Sequence, residues 1–439
     1  MKSKVYSSLF WLIILGGIAK LLSTIARIAT TRIVGVEGMS IYSLVAPLMV
    51  FVISLAQMGL PTAITKLVSS NYKERKKYII TSYFIGLISS IVIMFLILSC
   101  APLIAQYLLN NVLTKETLYM VALLAPLVMI SSFLKAYLVG INKITQTAIS
   151  QIFEELGRIS FIIIFGSIFI AKGPKYSAMA AMIGVCVGEI FQSISLIVSH
   201  FSAFKRHSID VVKSSFNKNN YVFKDVLEIS MPVTYSRLIT SFSYALEPII
   251  FTKLMLLMNY SSYDISHSYS ELTTYAMPLL FLPGFFSNSF ATILLPNMAN
   301  KLSKNNKIGA KKIFLKILKI SLICGFIFSS LIFLFSKPLL KLLYGEVIGN
   351  KYVRLLTFPY ILSYLEAPIN SAMHALSLDK EAFHTTFKSC LIRIFLLFIF
   401  IPYFHVIGIE FATIVSIIYF LIVNLRHIKK QLFIWFYDI

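Results

Sequence analysis

Lys20, Arg27 and Arg32 stand within or at the end of an apolar run over residues 5–31, where an ionised side chain is costly unless its charge is used. On a helix, Lys20 and Arg27 are two turns apart and share a face, with Arg32 beyond them. A guanidinium grips phosphate oxygens through two parallel hydrogen bonds and an ammonium adds a point charge, so the pattern suits an anionic head group. Arg237, inside a later apolar run, offers the same chemistry. The plainer role of such residues is to pair with buried acids or to extend their charged ends to a polar boundary, the simplest reading of Arg32.

Acids that could pair with them occupy similar settings. Gln151, Glu154, Glu155 and Arg158 lie in an apolar run over 150–171, and Glu154 precedes Arg158 in the favourable order for an i,i+4 ion pair. Lys135, Glu189, Glu247, Glu366 and Arg393 are further ionisable groups within apolar runs. Together they predict the lining of a central polar chamber, with Gln151, Glu154, Glu155, Arg158, Glu247 and Arg393 as its network. A Glu154–Arg158 pair that only stabilises the bundle is the competing reading. Catalytic chemistry finds no support: no GxxxxGK[ST], HExxH or GxSxG string occurs, the histidines are scattered, and Cys100, Cys186, Cys324 and Cys390 lack metal-ligand spacing. No enzyme activity, cofactor or metal is predicted. Energy must then come from a gradient, the membrane potential or the substrate's own concentration difference.

The elements that position these residues follow from composition. The chain of 439 residues is 58% hydrophobic and 13% charged, with mean hydropathy +0.82, whereas soluble domains carry roughly 25% charged residues. Apolar runs long enough to cross a bilayer lie near 5–31, 41–63, 78–100, 117–140, 150–171, 177–199, 224–256, 271–296, 312–336, 353–377, 384–403 and 405–427. This predicts an all-α polytopic membrane protein of about twelve transmembrane helices, because in hydrocarbon every backbone amide must be satisfied within its own segment. The first run exceeds a signal-peptide core and carries Lys20 and Arg27, so it is expected to remain as an uncleaved span. The net charge of +22 is spread over short loops with no basic domain, which excludes nucleic acid as partner and points to anionic membrane lipids.

Loop charges set the expected orientation. Lysines at 2 and 4, 66–77, 143, 205–224, 301–312 and 380, then Arg426, Lys429 and Lys430, fall at the N-terminus and in alternate loops, placing both termini in the cytoplasm. The longest polar stretch, 204–223, reads as a cytoplasmic linker between an N-terminal lobe over 1–203 and a C-terminal lobe over 224–439, six helices each. An internal repeat supports the cut: Pro61 pairs with Pro296, Pro126 with Pro359 and Lys143 with Lys380 at a nearly constant offset, as in a parallel repeat about an axis along the membrane normal. Leu60-Pro61 through Lys66-Leu67 and Leu295-Pro296 through Lys301-Leu302 share an L-P-x-x-x-x-K-L skeleton, making Lys66 and Lys301 equivalent cytoplasmic rim residues. They either attract an anionic head group or anchor the topology.

Arg27-x4-Arg32-Ile33-Val34-Gly35-Val36-Glu37-Gly38-x3-Tyr42-x4-Pro47, running into Gly59-Leu60-Pro61-Thr62-Ala63-Ile64-Thr65-Lys66-Leu67-Val68-Ser69, resembles the opening of the stage V sporulation protein B branch of the polysaccharide flippases. These are relatives of the lipid II flippase MurJ within the multidrug/oligosaccharidyl-lipid/polysaccharide exporter superfamily. Ser150 through Arg158 and Pro278 through Pro296 are similar too. The resemblance implies two six-helix lobes around a central cavity and transfer of an undecaprenyl-diphosphate-linked sugar to the outer leaflet by alternating access. It implies that Arg27 and Lys20 face the lipid diphosphate, and that Glu247 is the acid following the proline of the seventh helix. The chain departs from the family in lacking an arginine before the proline of the eighth helix and in carrying Arg393 as the only deep charge of the eleventh. It is expected to stop at twelve helices where many relatives have fourteen, without the lipid-tail groove of the last pair.

The resulting expectation is a monomeric flippase in a bacterial plasma membrane for a cell-wall, spore-cortex or surface-polysaccharide precursor, with no coupling ion identified. Its rivals are a cation-coupled multidrug exporter of the same superfamily, with Glu247 as the dominant acid, and a non-transporting scaffold for envelope enzymes.

Overall fold

Amides that cannot reach water must bond within their own segment, and the chain accordingly forms helix after helix, with no strand among the described residues. The computed structural model describes the backbone over 2–70, 75–141, 143–204 and 220–432, and side chains at 15 and over 17–69, 75–141, 143–199 and 222–432. The chain divides into two compact units, Met1–Ala245 and Leu246–Ile439. Most of the expected linker, 205–219, lies outside the described residues, as do Met1 and residues 433–439.

The first unit holds α1 (Lys2–Gln57), α2 (Leu60–Ser70), α3 (Arg75–Leu103), α4 (Lys115–Gly140), α5 (Ile144–Ile170), α6 (Pro174–Phe204) and most of α7 (Asn220–Leu257). α1 is two helices joined across Gly35, whose φ of 76° and ψ of 174° belong to a region that only glycine occupies readily. A second break follows at Met58 and Gly59, both with positive φ, and separates α1 from α2. Here the chain presses on α7: a Cβ on Gly59 would stand 2.5 Å from the carbonyl oxygen of Ser230. Leu60, Ile64, Leu67 and Val68 then pack with Tyr78 of α3, Met129 and Phe133 of α4, and Val222 and Val226 of α7. The Tyr78 hydroxyl donates to Asp225 Oδ2 at 2.8 Å, tying α3 to the start of α7.

The second unit holds the end of α7, α8 (Ser262–Ser270), α9 (Met277–Phe281), α10 (Gly284–Ser303), α11 (Lys307–Leu334), α12 (Ser336–Tyr344), α13 (Asn350–Leu356), α14 (Glu366–Ala375), α15 (Asp379–Phe404) and α16 (Ile407–Leu432). The expected eighth span is longer and less regular than the sequence suggested. α8 passes through a wide π turn at Glu271–Ala276 into α9, and the path bends by 50° before α10. The tenth is also in pieces, α13 and α14 being joined by a 3-10 stretch at Pro359–Leu365, as expected where proline removes a backbone donor. Leu294 and Met298 of α10, Phe314 and Leu318 of α11, Ile369 and Met373 of α14, and Phe420 and Ile428 of α16 form its main core.

Seven helices among the described residues are long and apolar enough to cross a membrane, or eight if the bent Ser262–Phe281 and Gly284–Ser303 pair is one span. About twelve apolar runs are expected from the residues, and the difference has physical sources. α1 covers two of them in one helix broken at Gly35, α5 and α7 carry several ionisable groups each, and the tenth is too fragmented to qualify.

Candidate functional site

On the first helix Ala19, Ala26, Thr30 and Thr31 are buried while Lys20, Arg27 and Arg32 are exposed, so one side of α1 packs into its unit and the basic side chains stay accessible. Thr24 and Thr30 return their hydroxyls to the carbonyls of Lys20 and Ala26, at 3.1 and 2.8 Å, so these polar side chains add no unsatisfied groups. Arg237, also exposed, lies at the second break of α1: its guanidinium donates to Gln57 Oε1 and Thr62 Oγ1, each at 3.5 Å. These long, weak bonds leave the guanidinium able to exchange partners.

The buried ionisable groups gather into two networks, one inside each unit. In the first, α4, α5 and α6 converge. Arg158 Nη2 lies 3.6 Å from Glu154 Oε1 and its Nη1 lies 3.4 Å from Glu155 Oε2; Lys135 Nζ is 4.0 Å from Glu154 Oε2. Gln192 of α6 donates to Glu154, and Ser131 of α4 donates to Glu189 Oε2 at 2.5 Å. Lys20 and Ser23 of α1 lie within electrostatic and hydrogen-bonding reach of Glu155. Three basic groups (Lys20, Lys135, Arg158) therefore face three acids (Glu154, Glu155, Glu189). Gln151 is exposed one turn before Glu154.

Glycines make this convergence possible. A Cβ on Gly188 of α6 would stand 2.9 Å from the Glu154 carbonyl oxygen, and one on Gly184 would touch Arg158 Cγ at 3.6 Å. Gly184 and Gly188 thus form a small-xxx-small face that lets α5 approach closely, the usual device where hydrocarbon supplies no hydrophobic drive between helices.

In the second unit Arg393 of α15 pairs with Glu247 at the end of α7; both are at most 7% exposed. Tyr269 of α8 donates to Glu247 Oε1 at 2.7 Å, and Arg393 Nε donates to Thr413 Oγ1 at 3.0 Å. Glu410 of α16 accepts from Tyr360 and lies within electrostatic reach of Arg393. Residue patterns single out Glu247 and Arg393 but not Tyr269, Tyr360, Glu410 or Thr413. Glu410 was detectable as an acid in an apolar run; the tyrosines and Thr413 carry no such mark. Glu366 sits partly buried in the first turn of α14, and Lys66 and Lys301 are exposed on α2 and in the last turn of α10.

Comparison with known proteins gives this arrangement a context. The polysaccharide biosynthesis protein family matches residues 5–302 of the chain. Stage V sporulation protein B of Bacillus subtilis (strain 168) is 26% identical over 432 residues, covering 96% of this chain and 83% of that protein. An inward-facing multidrug resistance MATE family transporter of the MOP superfamily has a TM-score of 0.77 at 15% identity, over 96% of this chain and 98% of that one. The lipid II flippase MurJ, in an inward closed conformation, has a TM-score of 0.74 at 18% identity, over 95% and 87%. The two likenesses establish the fold, that of multi-pass membrane transporters. With a family match running over more than half its length, the chain belongs to the polysaccharide biosynthesis protein family.

Proposed function

We propose that the protein turns an undecaprenyl-diphosphate-linked sugar or oligosaccharide, a precursor of cell wall, spore cortex or surface polysaccharide, from the cytoplasmic to the outer leaflet of a bacterial plasma membrane. The observation that carries this reading is the exposed pair Lys20 and Arg27 on one face of α1, with Arg27 eight residues before the glycine break at Gly35. A diphosphate is the anion that repays two basic groups at that spacing, with Arg27 as the bidentate partner and Lys20 as a point charge. Arg32 and Arg237 add positive potential, and Lys66 and Lys301 draw the head group toward the mouth. The prenyl tail stays in lipid while polar side chains meet the sugar. The protein acts as a monomer with both termini in the cytoplasm. Similarity to proteins named for sporulation and for lipid II flipping supports this choice of substrate class.

The test is reconstitution into liposomes with a fluorescent lipid-linked sugar, following its accessibility to an outside quencher. A protein-dependent gain in accessibility that Arg27→Ala removes is expected; no gain, or normal flipping by Arg27→Ala, overturns the reading.

The MATE likeness favours a second reading, a cation-coupled drug exporter whose working acid is Glu247. Against it, Glu247 is already engaged by Arg393 and Tyr269. Export of cationic drugs abolished by Glu247→Gln would support the exporter instead.

A further inference from the structure

The segment from Lys301 to Lys319 holds seven lysines, and no Asp or Glu occurs anywhere between Glu271 and Glu346. A loop signal for membrane orientation depends on the number of basic residues near the span, not on which face of a helix they occupy. Here the placement is specific. Lys312, Lys316 and Lys319 follow one another at i, i+4 and i+7 on α11, all exposed, so they form one stripe about 10 Å long. The same face continues down the helix through Ile323, Phe326 and Leu334, which are 58%, 58% and 66% exposed. The opposite face, with Phe314, Leu318, Ser321, Gly325 and Ser329, is buried in its unit.

We propose that this face of α11 is a binding site for an anionic phospholipid of the surrounding membrane. Side chains on a helix lean toward its N-terminus, so the ammonium of Lys319 is directed back toward Lys316 and Lys312, and the three meet a head-group phosphate from one side. The acyl chain lies along Ile323, Phe326 and Leu334. Charge complementarity selects the anion, and the apolar continuation of the stripe selects a lipid over a soluble phosphate, which would use the lysines alone. The absence of acids from the whole flanking sequence adds to the local positive potential.

Purified full-length protein in neutral detergent is titrated with phosphatidylglycerol or phosphatidylcholine and its thermal unfolding followed. A rise in Tm of several degrees with phosphatidylglycerol only is expected. The triple variant Lys312→Gln/Lys316→Gln/Lys319→Gln should lose most of that rise, while Lys304→Gln/Lys337→Gln/Lys341→Gln, exposed lysines with the same change in charge, should keep it. Ile323→Ser/Phe326→Ser should halve it or more. Equal loss in the two triple variants, an undiminished rise in the first, or an undiminished rise in the serine variant overturns the proposal. So does glycerol phosphate reproducing the full rise, which would assign the lysines to a soluble anion.

Discussion

Glu247 and Arg393 are 146 positions apart and form a buried ion pair to which Tyr269 and Thr413 each add a hydrogen bond. Such a pair is costly to leave half-made, since either partner alone is an uncompensated charge away from water. Arg393→Met or Glu247→Leu alone should destabilise the detergent-solubilised protein by ~3 kcal/mol, read as a fall in Tm. The double variant should recover much of the loss. Recovery stays incomplete because Glu410, held by Tyr360, also loses the nearby guanidinium.

The two glycine breaks around the second half of α1 should respond unequally. Gly35 needs its backbone angles but has nothing within 4 Å of a Cβ, so Gly35→Ala should cost ~1 kcal/mol through strain alone. Gly59 combines a φ of 59° with a backbone oxygen 2.5 Å from the Cβ position. Gly59→Ala should therefore cost more than twice as much, and thermal unfolding of the two variants side by side decides the order.

Gly188→Val should separate α5 from α6, break the Gln192–Glu154 bond, and lower both stability and transport. Gly17→Ala, at a helical glycine with open space around it, is the matched control. It should leave transport intact and raise stability by up to ~1 kcal/mol, since alanine is the better helix former.

Arg27→Ala should abolish flipping while changing stability by less than ~0.5 kcal/mol, as expected of an exposed position. Arg27→Lys should restore part of the rate, because an ammonium keeps the charge but not the two-pronged grip on phosphate. Initial flipping rates in liposomes, compared with Tm for each variant, separate a substrate contact from a packing defect.

Much of this molecule was legible in the residues because hydrocarbon imposes simple rules. Apolar run length located most helices, and charges inside those runs located Glu154, Arg158, Glu247 and Arg393. The reason their partners stayed hidden is geometric: Gln192 and Tyr269 lie 38 and 22 positions from the acids they meet, and only packing selects them from other polar residues. The L-P skeleton was visible twice, but its local setting was not. Pro61 opens α2 directly after a break, whereas Pro296 lies inside α10. Nor does any pattern distinguish Gly59, which accepts a close neighbour, from Gly17, which has none.

The contact between Gly59 and Ser230 also bears on how such a sequence can drift. Strain in φ admits asparagine or aspartate at some turns, and a close neighbour can be relieved where it is a movable side chain. At Gly59 both demands coincide and the neighbour is a main-chain oxygen, so no change of residue 230 opens the space. Single-step mutational paths through position 59 are closed, and a library randomised there should return glycine alone among transport-competent clones.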